Sequence, residues 1–417
     1  MRNATARSAV RRLATARLIS VTGGAAAFAA LNFTIFEQTR SAAWLSASLL
    51  LTFGVSGLFA PIGGVLGDRF DRKRVMIVSD LAGAACFGAM AFSQDPGWLI
   101  AVGFAAAIVE TPFWSASAAA IPNLVDEDDL AWANGLIQVG ANAGIMIGPA
   151  IGGVLLAVMG AGLVFAANAL SFVLSAALVV TVHGPFAEER DGDAQEHDGI
   201  RAGFVFIARD RILRTLVLAW SVFVLGLGMV MVADVPLAEL FGAGSTGYGL
   251  MIGAWGAGSV IGSLAGRRLT QRTEPRALVA GTIVIGLTTA GVAVSPWFAP
   301  VLVLILMAGV ADAVIMVADR NIQQRRTPDV VRSRVVSASE AVITTALAAG
   351  FLLGGPALEL LGPRGVYAAG GVLGLFGAIV LVPILRSSRR AQADAAEELA
   401  DTSPASAGEP ELVRAGG

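Results

Sequence analysis

Twelve apolar runs dominate this sequence, and they restrict its fold more than any other feature does. Most of them are about twenty residues long, the length that a helix needs to cross the hydrocarbon core of a bilayer. Short polar segments separate the runs. The sequence therefore predicts an all-α integral membrane protein with twelve transmembrane helices. The runs cover residues 18–36, 45–66, 75–92, 98–121, 132–158, 163–182, 213–235, 248–269, 277–294, 297–317, 335–358 and 366–385.

Composition excludes several other classes of protein. Of the 417 residues, 55% are hydrophobic and 14% are charged, whereas a soluble domain carries about 25% charged residues. A net charge of -2 gives no reason to expect a nucleic-acid partner. The single cysteine, Cys86, and the two histidines, His183 and His197, supply neither a metal cluster nor a catalytic pair. The sequence also lacks the Gly-Lys-Ser/Thr element of a phosphate-binding loop, so neither an enzyme nor an ATP-driven pump is predicted.

The distribution of basic residues predicts how the helices are oriented. With twelve spans, both termini lie on one side, and only Arg40 and Arg364 of the 29 basic residues fall in loops on the other side. Lys and Arg in short loops are retained in the cytoplasm. Both termini are therefore predicted to be cytoplasmic, and no basic residue is expected in the middle of the membrane.

The long gap between the sixth and seventh runs divides the chain into two halves. The predicted segments are a cytoplasmic N-terminal tail (1–17), a six-helix half (18–183), a cytoplasmic linker (184–212), a second six-helix half (213–386) and a disordered cytoplasmic tail (387–417). Disorder is expected in the last segment because it is rich in Ala, Glu and Ser and has no apolar periodicity.

Three features of the first half recur in the second half at nearly the same offset. They pair residues 63–69 with 262–268, Glu110 with Asp312, and Gly144-x-x-x-Gly148 with Gly350-x-x-x-Gly354. Internal symmetry of this kind is typical of transporters built from two related halves. The two six-helix halves are therefore predicted to be pseudo-symmetric.

A charged loop joins the second and third runs. It contains Gly64, Leu66, Asp68, Arg69, Arg72, Lys73 and Arg74, and Asp80 follows in the first turns of the third run. The pattern resembles the loop between helices 2 and 3 of the major facilitator superfamily, although Asp71 stands where that family most often has glycine. The resemblance implies a gating loop, in which Asp68 and the surrounding cations latch the cytoplasmic ends of the two halves. Asp80 is expected to pair with those cations.

Two further stretches, residues 70–76 and 327–335, resemble the branch of the superfamily that contains bacterial macrolide, multidrug and enterobactin exporters. The resemblance implies the major facilitator fold in a bacterial cytoplasmic membrane, with proton-driven export by alternating access. The implied partners are a small-molecule substrate and the lipid bilayer, the energy source is the proton gradient without a cofactor, and the working unit is a monomer. A proton-coupled importer and a sensor that moves no substrate remain open alternatives.

The fifth run carries a motif made of Gly144, Gly148, Pro149, Gly152 and Gly153. Glycines four residues apart form a flat stripe that lets another helix approach closely, and Pro149 removes a backbone hydrogen bond and permits a bend. The spacing resembles a signature of proton-antiporting exporters in the superfamily. Ordinary tight packing between helices is the alternative interpretation.

Carboxylates inside the apolar runs are the candidates for proton coupling. Glu110 and Asp312 lie deep in their runs, and neither run contains a basic residue close by. Because an ionised carboxylate is costly in that setting, each is expected to bind a proton readily. The alternative is a permanently protonated acid with a structural role. Asp234 and Glu340 lie nearer the membrane edges and are weaker candidates. The relay arginine that the superfamily often carries in its fourth helix has no counterpart beside Glu110.

Polar and aromatic residues of the runs predict the wall of a substrate cavity. Gln138 and Asn142 share a helix face and would be costly against lipid, so they should face a water-filled cavity or another helix. The predicted wall is apolar and aromatic with a few amides, which suits a lipophilic compound that is neutral or cationic. Its members are Asn32, Phe33, Phe36, Trp114, Gln138, Asn142, Trp220, Trp255 and Glu340.

Overall fold

The computed structural model describes residues 2–54, 70–126, 129–183, 186 and 201–401, and these residues form helices joined by short loops. The last turn of α2, Leu50–Gly54, is π-helical. The helices are α1 Arg2–Thr39, α2 Ala42–Gly54, α3 Arg72–Phe92, α4 Pro96–Leu124, α5 Leu130–Met159, α6 Ala161–Val180, α7 Arg201–Arg209, α8 Arg211–Leu240, α9 Gly244–Gly266, α10 Glu274–Ala293, α11 Phe298–Arg326 and α12 Asp329–Asp401.

The described helices account for the twelve predicted spans. Ten of them are long and apolar enough to cross a membrane, and the apolar helix Ala42–Gly54 is the described part of the second span. The apolar part of α12, Arg334–Leu385, has 52 residues, about twice the length that one crossing needs. It breaks at Gly362, where φ is 68°, a conformation that glycine adopts without a steric penalty.

Packing on both sides of this break shows that the chain reverses direction. Gly350, before the break, packs against Leu225 and Gly228 of α8, and Gly370, after the break, packs against Gly226 and Val230 of the same helix. Two segments that contact one stretch of α8 must run past it side by side. Thus α12 contains both the eleventh and the twelfth span, and the predicted all-α class is observed.

Three segment boundaries differ from those predicted from the sequence. Helix α1 begins at Arg2, so residues 2–17 extend the first span as a helix. The linker contains the short helix Arg201–Arg209. Disorder is predicted from residue 387, whereas the structure continues α12 as far as Asp401. The Ala- and Glu-rich sequence that lacks an apolar period has a high intrinsic helix propensity, and residues 402–417 lie outside the described part.

Helices α1–α6 form the N-terminal half of the bundle, and α8–α12 form the C-terminal half. Ion pairs join helix ends that lie on one face: Arg7 contacts Asp129, which precedes α5, at 2.9 Å, and Arg326 contacts Asp210, which precedes α8, at 3.1 Å. We call this the basic face, since the helix ends there carry most of the arginines. The other side, with the α1–α2 loop that contains Arg40, is called the opposite face.

The predicted repeat of the two halves is visible in their packing. A Cβ atom added at Gly144 would lie 2.9 Å from the backbone nitrogen of Thr22 in α1. In the other half, a Cβ atom at Gly350 would overlap the Leu225 carbonyl of α8. The close helix approach predicted for the glycine stripe is therefore present in both halves, where it brings the fifth span against the first and the eleventh against the seventh.

Two glycine-lined seams join the halves near the opposite face. In the first, Ser245 of α9 donates its hydroxyl to the carbonyl of Gly153 in α5 at 3.1 Å. In the second, a Cβ atom at Gly355 of α12 would lie 2.8 Å from the hydroxyl of Ser46 in α2. Both seams lie where α2 and α9 begin, so the two halves are closed against each other at the opposite face.

Candidate functional site

A cavity of about 810 Å³ lies within the bundle. It extends from Gln324, Thr327 and Arg332 at the basic face to Asp234 and Tyr367 in the part of the bundle near the opposite face. The C-terminal half supplies most of its wall, and the N-terminal half contributes Phe28 and Phe53. The wall is largely apolar, and ten of its residues are aromatic or methionine: Phe28, Phe53, Trp220, Phe223, Met231, Tyr248, Met251, Trp255, Met316 and Tyr367.

Contacts between the halves close the cavity toward the opposite face. The ring of Phe53, held in the π-helical turn of α2, lies 6.0 Å from the ring of Phe28 and 6.5 Å from that of Phe351 in α12. Beyond them, Arg40 of the N-terminal half pairs with Glu239 of the C-terminal half at 2.9 Å. Among the residues that the structure describes, this arrangement leaves the basic face as the side of access.

Asp234, a carboxylate of the cavity wall, lies beside both tyrosines of the chain and hydrogen bonds to one of them. The Tyr367 hydroxyl of α12 donates to Asp234 Oδ1 at 2.5 Å, and Tyr248 of α9 lies close enough to interact electrostatically with the same carboxylate. Both tyrosines are buried, whereas Asp234 is partly exposed to the cavity. A residue that the sequence placed near a membrane edge is therefore part of the cavity wall.

Helix α11 places two more carboxylates on the cavity wall. Asp312 and Asp319 are separated by seven residues, which is two helical turns, and so share one face of the helix. Gln323 donates to Asp319 at 2.7 Å, and Trp220 lies beside the same acid. With Glu340 of α12, the wall carries four acids, and its two bases, Arg320 and Arg332, belong to the part near the basic face.

The predicted cavity residues divide into two groups. Trp220, Trp255 and Glu340 line the cavity, as do the predicted coupling acids Asp234 and Asp312. The remaining predicted residues are absent from the described wall.

Three of those residues, all in α1, pack inside the protein instead. Asn32 is fully buried, accepts a hydrogen bond from the Ser48 hydroxyl at 3.0 Å and donates to the Phe28 carbonyl at 2.9 Å, so it ties α1 to α2. Phe33 is buried among apolar side chains, and Phe36 packs against the same cluster.

Gln138 and Asn142 lie on the face of α5 that turns toward the C-terminal half. They hydrogen bond to each other at 2.9 Å and are exposed. Met146, one turn beyond Asn142, packs against Gly256 of α9. Because residues four apart lie on the same side of a helix, Gln138 and Asn142 lie on the same side of α5 as Met146. They are nearer the basic face than Met146 and border the gap between the halves there.

Arg17 is a basic residue buried inside the N-terminal half, at the edge of the first apolar run. This side chain of α1 is buried, with its guanidinium carbon 3.1 Å from the centre of the Trp114 ring in α4. It interacts electrostatically with both Asp80 of α3 and Glu110 of α4. Glu110 has no base in its own helix, but Arg17 of the neighbouring helix α1 supplies one. The same arginine lies over the Trp114 ring.

The cations after the second run also differ in part from expectation. Arg72 donates to the carbonyls of Ala119 and Phe186, and Lys73 donates to those of Val180 and Val182 at 2.8 Å, so both satisfy backbone groups of the N-terminal half. Asp80 therefore has Arg17 and Ser175 as its neighbours. Arg72 and Lys73 are directed to helix ends, and Arg69 lies outside the described residues, so the pairing of Asp80 with the loop cations stays a prediction.

The remaining members of the loop can be placed only in part. Asp71 accepts a hydrogen bond from the backbone nitrogen of Arg74 at 2.8 Å and caps α3, which gives a reason for an acid where glycine is common. The Arg74 side chain is exposed. Gly64, Asp68 and Arg69 lie outside the described residues.

The α5 motif contacts two helices at once. Gly144, Gly148 and Gly152 pack against α1 within the same half, whereas Gly153 and the Pro149 carbonyl contact α9 of the other half. Thus the motif connects the internal packing of the N-terminal half to the seam between the halves.

Comparison with known proteins identifies the family. The family model described as transmembrane secretion effector matches residues 6–405. The chain belongs to this family. It is a multi-pass membrane transporter of the major facilitator type and not an enzyme.

Two relatives of this transmembrane secretion effector chain have informative names. The enterobactin exporter EntS of Escherichia coli is 25% identical over 395 residues, which cover 91% of this chain and 93% of the relative. Macrolide efflux protein A of Streptococcus pyogenes is 30% identical over 166 residues, 39% of this chain. The second match spans 41% of the length of that protein.

Solved structures agree with the fold. The nucleoside transporter NupG superposes with a TM-score of 0.72 at 13% identity, covering 90% of this chain and 99% of its own. At that identity the likeness concerns the fold alone.

Four residues of the site were not singled out from the sequence: Arg17, Tyr248, Asp319 and Tyr367. One of them carried a usable pattern, because Asp319 follows Asp312 by seven residues and must share its helix face. The tyrosines were notable only for their rarity. Arg17 lies at the edge of the first apolar run, where a cytoplasmic position is the default assignment.

Proposed function

We propose that this transporter exports a small lipophilic compound, such as a drug, a secondary metabolite or a siderophore, by proton antiport through alternating access. The observation that carries the proposal is the cavity of about 810 Å³, which is accessible from the basic face and closed at the opposite face. If the basic face is cytoplasmic, as the distribution of arginines predicts, substrate enters from the cytoplasm. The names of the macrolide and enterobactin relatives support the outward direction.

The coupling residues we propose are Glu110, Asp312 and Asp234. Asp312 and Asp234 lie on the cavity wall, and Glu110 shares Arg17 with Asp80 in the N-terminal half. Moving one charge through 100 mV is worth about 2.3 kcal/mol, so protonation of an acid changes the relative stability of the two states. Proton entry from outside would then return the emptied carrier to the cytoplasmic side.

Two motifs are assigned to the conformational change itself. We assign the α5 motif a role as the moving junction, because it contacts α1 on one side and α9 on the other. Asp68, Arg69 and the neighbouring cations would latch the cytoplasmic ends of the halves while the opposite face is open. In the state described here, Arg72 and Lys73 bond within the N-terminal half.

The test is transport by purified protein in vesicles with the basic face outward and an acidic lumen. A macrolide, a catecholate siderophore and a lipophilic dye are offered outside. Accumulation of one of them in the lumen above its outside concentration, abolished when the pH gradient is collapsed, is the expected result. The reverse sign, with accumulation driven by an acidic exterior, would favour a proton-coupled importer.

Variants of the candidate acids test which of them couples proton movement to substrate transport. Glu110→Gln and Asp312→Asn fix the neutral forms and are expected to keep downhill exchange but to lose uphill accumulation. Glu37→Gln, which removes an exposed acid of α1 away from the cavity, is the matched control and should behave as wild type. If Glu110→Gln still accumulates substrate uphill, the acid that couples proton movement to transport would be Asp312 or Asp234.

A further inference from the structure

The end of the cavity near the opposite face brings one carboxylate and both tyrosines of the chain together. We call it the blind end, and it contains Asp234, Tyr248, Tyr367, Phe28 and Phe53. Both tyrosines are core members of one packed cluster, and Phe28 packs against that cluster. The blind end therefore presents one carboxylate beside Tyr367 and Tyr248, in a wall that Phe28 and Phe53 also line.

No basic side chain of the described cavity wall lies at the blind end to balance the charge of Asp234. The two arginines of the wall, Arg320 and Arg332, belong to the part near the basic face. Tyr367 is a hydrogen-bond donor to Asp234 Oδ1, and it supplies no positive charge. Asp234 is partly exposed to the cavity and has no positively charged partner among the described wall residues, so its carboxylate is accessible to a cation from outside the protein.

We propose that the blind end binds the positively charged group of a lipophilic substrate, with Asp234 as its counter-ion and the surrounding aromatic rings as its walls. This proposal rests on the proposed function and narrows the substrate from neutral or cationic to cationic. An aromatic ring attracts a cation through its negative face, most strongly when water is excluded. The rest of the cavity, whose wall includes Trp220, Trp255 and Met251, holds the apolar part of the same molecule.

A proton and the substrate cation compete for Asp234 in this arrangement. The protonated carboxyl group carries no charge, so it loses its attraction for the cation. The titratable groups that face Asp234 are Tyr248 and Tyr367, and the next carboxylates along the wall are Asp312 and Glu340. Exchange of one cation for one proton at a single carboxylate would link substrate release to proton uptake.

The experiment compares two probes of the same shape and opposite charge, tetraphenylphosphonium and tetraphenylborate. Binding to the purified chain in detergent is followed by tryptophan fluorescence, because Trp220 and Trp255 line the cavity. We expect the cation to bind at least about tenfold more tightly than the anion, because the Asp234 carboxylate attracts a positive charge and repels a negative one in a site of low dielectric constant. Equal affinity for the two probes would overturn the proposal.

Asp234→Asn is the decisive variant, since it preserves shape and removes the charge. It is expected to weaken tetraphenylphosphonium binding at least about tenfold, because the coulombic attraction is lost, while tetraphenylborate binding stays the same or improves. Glu37→Gln removes an equal charge outside the cavity and should change neither. Retention of cation preference in Asp234→Asn would show that another group selects the charge.

A measurement on the wild type keeps the proposal testable if Asp234→Asn does not fold. Tetraphenylphosphonium affinity should fall as the pH is lowered and protons occupy the carboxylate, and binding should release protons to a weakly buffered solution. Cation binding without proton release would contradict competition at this site. If binding is charge-selective but vesicles show no uphill transport, the antiport proposal fails and the blind end remains a cation site. If vesicles show uphill transport but binding has no charge preference, only the blind-end proposal fails.

Discussion

Arg40 and Glu239 form an ion pair of 2.9 Å that links the two halves across the opposite face. Arg40 lies between α1 and α2 with φ at 48°, and Glu239 lies in the last turn of α8. Arg364, the second base of this face, contacts Phe241 and the Ala293 carbonyl, both within the C-terminal half. The two arginines therefore differ in one respect that can be tested, because one bridges the halves and the other does not.

Arg40→Gln should shift the protein toward the state that is open at the opposite face. The effect is modest, about 0.2–1 kcal/mol, because both partners are partly exposed. Spin labels on cysteines that replace Trp44 and Leu240, in a Cys86→Ser background, would report the distance between the halves. Arg364→Gln is the control and should leave the distance distribution unchanged. An equal response in both variants would mean that Arg40 acts only through the net charge of this face.

Gly249→Ala should have a larger conformational effect, because it acts on the seam directly. A Cβ atom at Gly249 would overlap the Pro149 carbonyl across the α5–α9 seam, whereas one at Gly253, a single turn further along α9, would lie 3.4 Å from the Met146 carbonyl. Gly249→Ala is expected to separate the halves at the opposite face, at a cost of about 1–3 kcal/mol to the closed seam. Gly253→Ala should be tolerated, and the same spin-label pair measures both.

Gly148→Ala should affect stability more than conformation, since its contact lies within one half. Its Cβ atom would overlap the Thr22 carbonyl of α1, while nothing lies within 4 Å of a Cβ atom at Gly135 on the same helix. Gly148→Ala is expected to lower the free energy of unfolding by about 1–3 kcal/mol. Gly135→Ala should raise it by about 0.5–1 kcal/mol through helix propensity. Thermal unfolding in detergent separates them, and similar melting temperatures would show that α1 and α5 adjust without cost.

Arg17→Gln removes the base that Glu110 and Asp80 share. The free energy of unfolding should fall, because two acids inside the N-terminal half lose the attraction of a nearby positive charge. The double variant Arg17→Gln with Glu110→Gln should recover part of the loss, at least about 1 kcal/mol, since it removes one of the stranded acids. Arg11→Gln, at an exposed site on the same helix, is the control. Additive losses in the double variant would show that Arg17 and Glu110 are not coupled.

The sequence alone determined the number of spans, the division into halves and the two glycine stripes. These properties are local, because the length of an apolar run sets one crossing and the spacing of small residues sets one flat helix face. It also placed Trp220, Trp255 and Asp312 in the interior, since side chains of these kinds in the middle of a span favour a cavity over lipid.

Only the tertiary structure decided which side chains from distant segments meet. Tyr367 and Asp234 are 133 residues apart in the chain and share one hydrogen bond, and Arg17 reaches Glu110 from a different helix. Asn32, which is suitable for a cavity by type, instead joins α1 to Ser48 of α2. Periodicity fixes the face of a helix on which a residue lies, but the rotation of that helix against its neighbours depends on all the contacts of the bundle, and this rotation decides whether the face meets the cavity or another helix.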